Sequence, residues 1–167
     1  MMQFNEKKMN KAICIFTNFW DAKQLSIDGS LLLSSKNQLC KLNFISENNK
    51  PVNFSLNSIA LSLPENVRVL NFKNIACFNP TYKLLSNYKT NKDWVEYRSE
   101  YIKLLKERKQ SIQDWANGLI DEHIYFMCCW ENTSKGANCH RRILYEEFSK
   151  SKFMKNKIIS IYRSGGK

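Results

Sequence analysis

The chain has 167 residues, 43% of them hydrophobic, so it fits one domain and buries a core without disulfide or metal staples. Its 26 Lys and Arg outweigh 15 Asp and Glu, a formal charge of +11 that attracts polyanions such as nucleic acid or nucleotides. The same charge also serves solubility. No apolar run approaches the ~18 residues that a spanning helix requires, so a soluble protein is expected. The six cysteines (Cys14, Cys40, Cys77, Cys128, Cys129 and Cys139) lack the spacing of a secreted disulfide framework.

The polar start, "MMQFNEKKMNK", reads as an N-terminal arm over residues 1–11, without a signal-peptide cleavage site. With the cysteine usage, this favours the reducing cytoplasm. "AICIFTNFW" (12–20) is β-branched and aromatic, a buried first strand, and "DAKQLSIDGS" after it reads as a polar connection. The segment 30–54 fits neither helical nor strand period, and Asn48, Asn49 and Pro51 break it. "SIALSL" (58–63) reads as a strand ended by Pro64.

Two helices follow. The first starts with Asn79 as cap and Pro80 in its first turn. The second has Thr90 and Asp93 at capping-box spacing, and Trp94, Tyr97, Tyr101 and Leu104 share one of its faces. "SIQDWANGL" gives a further helical piece ending at Gly118, and "HIYFMCCW" (123–130) a strand buried on both faces. The loop "ENTSKGAN" leads to a helix from Cys139 to about Lys150. "IISIY" is a last edge strand in the basic C-terminal segment 151–167. This alternation predicts a single Rossmann-like α/β domain over 12–150, with a mostly parallel sheet and helices on both faces.

In such sheets, sites form where strands end and the next helices begin. "FMCCWENTSKGANCHRRIL" is that arrangement, with Asn138 as the expected N-cap and Cys139, His140 and Arg141 in the first turn. Free N–H groups and the helix dipole favour an anion there, and Arg141 and Arg142 add donors suited to phosphate. The position lowers a thiol's pKa, which makes Cys139 the expected nucleophile. His140 is a proton carrier, and Glu131 is an orienter or base. Thr17, Asn18 and Cys129 border the same crevice if the first strand lies beside "FMCC". The same residues also admit structural roles: Cys139 as filler, His140 packed on the core face with Leu144, Glu131 in a salt bridge.

Zinc on Cys128, Cys129, Cys139 and His140 is disfavoured, because adjacent strand cysteines face opposite ways and no CxxC spacing is present. No GxGxxG, Walker A, HExxH or GxSxG motif occurs, so no cofactor is expected.

"FMCCWENTSKGANCHRRILYEEF" resembles the C-terminal signature of the domain-of-unknown-function 488 family, in its phage and bacterial type. The matched positions are Cys129, Glu131, Cys139, His140 and Arg141. "FNPTYKLLSNYKTNKDWVEYRSEYIKLL" is similar to the same members, so the likeness covers about residues 76–148 and extends loosely to 12–64. Leu61 stands where members often carry an arginine after an early strand. The resemblance implies a Rossmann-like domain with a Cys-His-Arg site and no established reaction.

The leading expectation is an enzyme for a nucleotide or nucleic-acid substrate, with Tyr82, Tyr88, Tyr97 and Tyr101 available to stack a base. A non-catalytic DNA or RNA binder with a phosphate clamp, and a small phage or mobile-element interaction protein, are the alternatives. The asparagine- and lysine-rich composition suits the AT-rich genomes of several bacteria and their phages.

Overall fold

A computed structural model describes residues 11–28, 54–68, 72–130 and 138–161. Five parallel strands form one sheet in the order β3-β2-β4-β1-β5. They are β1 (Ile13–Asn18), β2 (Phe54–Ser58), β3 (Lys73–Asn74), β4 (Ile124–Cys129) and β5 (Ile158–Ile161). The fold is therefore α/β, as the alternation predicts, and the sheet is parallel throughout. β1 and β4 lie at its centre, which is why both are near-continuous apolar runs. "IISIY" is the edge strand beside β1. The arm at 1–10, the difficult segment 29–53 with Cys40, and the last six residues lie outside the described residues.

Two connections differ from expectation. The polar stretch after β1 is a helix, α1 (Phe19–Asp28), entered without a loop. Asn18 starts it: its Oδ1 accepts from Asp21 N at 2.8 Å and its Nδ2 donates to Asp21 Oδ2 at 2.8 Å. "SIALSL" is not a strand either, because β2 ends at its first residue. Ile59 N still donates to Cys128 O at 3.0 Å, after which the chain leaves the sheet. The polar residues of β2, buried Asn57 and Ser58 among them, hide its period in the sequence.

On the other side of the chain come α2 (Tyr82–Asn91), α3 (Trp94–Glu107) and α4 (Lys109–Asn117). Thr81, not Asn79, caps α2, its Oγ1 accepting from Leu84 N. Asp93 caps α3, while Thr90 lies inside α2 with its hydroxyl on Ser86 O. Gly118 closes α4 as expected. The crossovers β1–α1–β2 and β4–α5–β5, with α5 at His140–Lys150, run in opposite directions across the sheet. Right-handed connection therefore puts α1 and α5 on opposite faces.

The core under α5 is aromatic. Phe16 of β1 meets Phe148 and Tyr145 edge-on, and Phe78 meets Phe148 and Trp115 likewise. Ile143 of α5 is fully buried among them, whereas Val95 of α3 is 78% exposed. Ile143→Ala is expected to lower unfolding free energy by about 2–5 kcal/mol. Val95→Ala should change it by no more than about 0.5 kcal/mol, both read from urea unfolding curves.

Candidate active site

The site is built where β4 ends and α5 begins. Alternation along β4 sends the two adjacent cysteines to opposite faces, and Cys129 is the one turned toward α5. Its Sγ lies 3.8 Å from Nδ1 of His140, the first residue of that helix. Cys139 occupies the N-cap position in extended conformation, so the cap falls one residue after the expected Asn138. It makes no side-chain capping bond, because its Sγ turns to the same imidazole nitrogen, 3.9 Å away. Cys129 Sγ, Cys139 Sγ and His140 Nδ1 all lie within 4.8 Å of one another, and all three residues are buried.

The orientation of the imidazole follows from its other nitrogen. His140 Nε2 lies 2.7 Å from Ile59 O, and a carbonyl only accepts. The proton of the neutral ring therefore sits on Nε2, and the Nδ1 lone pair faces the two sulfurs. Tyr101 packs edge-on against the ring at 5.4 Å and donates its hydroxyl to Phe78 O at 2.7 Å. Burial holds the Cys139 thiol well above its ordinary pKa, the hydrogen bond and charge of Cys129 push it further up, and His140 only partly offsets them. At the helix start, desolvation thus outweighs the dipole that would favour a thiolate.

A pocket of about 410 Å³ opens over this trio. Cys129, Cys139 and His140 form part of its lining, together with Asn138. Tyr88, Trp94, Tyr97 and Trp130 give it aromatic walls, Lys89 contributes a cation, and Ala60, Leu61 and Ser62 border it from beyond β2. Trp94 and Tyr97 stack at 5.4 Å, and Tyr97 stacks on Tyr101 at 6.2 Å, so one face of α3 runs as a ring ladder down to His140. Trp130 Nε1 donates to Ser62 O at 2.9 Å, tying the segment after β2 to the end of β4.

The remaining expected residues are distributed differently. β1 does lie beside β4, with Thr17 opposite Cys128 and Asn18 opposite Cys129. None of Thr17, Asn18, Arg141 and Arg142 lines the pocket. Asn18 caps α1, and Thr17 Oγ1 is buried without a hydrogen-bond partner among the described residues. Arg141, 2% exposed, donates from Nη1 to Thr17 O at 2.9 Å, and Arg142 pairs with Glu146 at 3.5 Å. Glu131 lies outside the described residues. Tyr82 is exposed and Tyr101 buried, which leaves Tyr88 and Tyr97 as the tyrosines at the pocket.

The periodicity of α3 marks Trp94 and Tyr97 as a face, but not which end of that face meets open space. The Ile59 carbonyl carries no side-chain signal. No protein-family model, curated protein or solved structure matches this chain. No helix among the described residues is long and apolar enough to cross a membrane.

A thiol with a raised pKa stays protonated through neutral pH and ionises only in more alkaline solution. In chelator-treated protein at pH 8, iodoacetamide is expected to label Cys139 more slowly than it labels a free cysteine derivative. The ratio should narrow as pH rises, read by peptide mass spectrometry. Labelling faster than the free thiol at pH 6–7 would contradict the desolvated site.

Proposed function

We propose that the chain is an enzyme for a small substrate with a flat ring and an anionic group, of nucleotide type, that reacts at Cys129, Cys139 and His140. The carrying observation is the convergence of two sulfurs and an imidazole lone pair in the lining of an aromatic pocket. Buried reactive groups facing an open cavity are the usual anatomy of an active site.

Each wall has a role in this reading. Trp94, the outermost and half-buried ring of the ladder, offers a face for the substrate ring, backed by Tyr97. Lys89 and the N-terminal end of α5 at Cys139 and His140 supply positive potential for the anionic group. The formal charge of +11 raises the local concentration of such substrates, free or within a single strand. Arg141 acts from below: its bond to Thr17 O holds the first turn of α5 against β1, which positions its neighbour His140.

Titrating the four common nucleoside monophosphates while reading tryptophan fluorescence tests the substrate class. Saturable quenching is expected for at least one of them. Trp94→Ala should weaken that affinity by an amount equivalent to about 1–3 kcal/mol, the range for loss of a base-stacking ring. His140→Ala should retain binding and abolish product formation, followed by mass spectrometry. If no nucleotide quenches and none is converted, the substrate reading is wrong.

A further inference from the structure

We propose that Cys129 Sγ, Cys139 Sγ and His140 Nδ1 bind one zinc-class divalent cation, leaving a fourth coordination position toward the aromatic pocket. The three atoms are gathered before any ion arrives, all within 4.8 Å of one another. Zinc–sulfur bonds of about 2.3 Å and zinc–nitrogen bonds of about 2.0–2.1 Å give a tetrahedron whose S···N edges are about 3.6 Å. The observed edges are 3.8 and 3.9 Å, so each sulfur need approach the nitrogen by only a few tenths of an ångström.

The imidazole is prepared for the role. A ligating histidine commonly donates its other N–H to a carbonyl or carboxylate, which fixes the tautomer and aims the lone pair. Ile59 O is that acceptor, at 2.7 Å from Nε2, and Tyr101 walls the ring from the side.

The donor set selects the cation. Two thiolates and an imidazole suit zinc and disfavour magnesium or calcium, which take oxygen ligands. As ligands the two thiolates carry two negative charges that cancel the cation's two, so the buried centre is neutral overall.

The alternation of β4 removes Cys128 from the set, since it points to the opposite face. It leaves Cys129 in place, and strand end plus helix start supply the ligands without CxxC spacing. Three protein ligands and an open side are the pattern of catalytic rather than structural zinc. Water or a substrate atom would take the fourth position. The inference rests on the proposed reaction centre for its chemical purpose, but its test needs no turnover.

The experiment strips the full chain with chelator under reducing conditions and titrates it with Co2+. One equivalent should give the sulfur-to-cobalt charge-transfer band and intense visible bands of a tetrahedral site, and Zn2+ should bleach both. Cys129→Ser and Cys139→Ser, checked for fold by circular dichroism, should each cut the band to about half or less, one of the two sulfur ligands being gone, and Cys77→Ser should keep it whole. X-ray absorption of the zinc-loaded wild-type chain needs no variant and should report two sulfur neighbours and at least one nitrogen.

A wild-type chain without the charge-transfer band overturns the proposal. So does a band undiminished in either serine variant, or a zinc shell without two sulfurs. Cobalt binding with no nucleotide binding would refute the substrate reading alone, and the reverse would refute the cation alone.

Discussion

One backbone residue, Ile59, holds the site together. Its N–H donates to Cys128 O at 3.0 Å, and its carbonyl accepts from His140 Nε2 at 2.7 Å. The end of β2, the end of β4 and the start of α5 are thereby joined at one peptide position just beyond the sheet. Ile59 is fully buried, so neither of its polar groups has water to turn to. The bond to His140 also sets the chemistry of the ring. It places the proton on Nε2 and turns the remaining lone pair toward Cys129 and Cys139.

The second anchor of α5 works in the same way on the other side of β4. Arg141 reaches the carbonyl of Thr17 at the end of β1, as His140 reaches the carbonyl past the end of β2. Two consecutive residues therefore straddle the central strand and fix the helix over its end. A cation in a first helical turn opposes the dipole by about 0.3–1 kcal/mol. A buried hydrogen bond from a charged donor is worth about 1.5–3 kcal/mol, enough to offset that cost. Arg141 is tied to the backbone of β1, and Cys129, Cys139, His140 and the aromatic residues of α2 and α3 are among the residues that line the pocket.

The parts of this arrangement that repeat along the chain were legible in the sequence. The apolar runs of β1 and β4, the periodic face of α3, the glycine closing α4 and the helix from His140 all carry local signals. The segment of the candidate site was legible as well, in that the end of β4 and the start of α5 both carry local signals. Three features were not. β2 reads poorly because polar Asn57 and Ser58 are buried in it, and α1 was hidden because Phe19 and Trp20 extend the apolar run of β1 into a helix. The state of Cys139 was the third. Its place at a helix start argues for a reactive thiolate, but burial and the nearby Cys129 push the other way, and neither is visible in one dimension. What pairs Ile59 with His140, 81 residues later in the chain, is topology rather than composition.

The protonation pattern of His140 is the most direct measure of this account. The chain has two histidines, so nitrogen-15 labelling of histidine with long-range proton–nitrogen correlation gives two assignable rings. In metal-free protein, wherever the ring is neutral, the His140 imidazole should appear as a single fixed tautomer with the proton on Nε2 and a bare Nδ1. A ring protonated on Nδ1, or one averaging between tautomers, would mean that the Ile59 carbonyl does not hold it, and the lone pair would not be aimed at the two sulfurs.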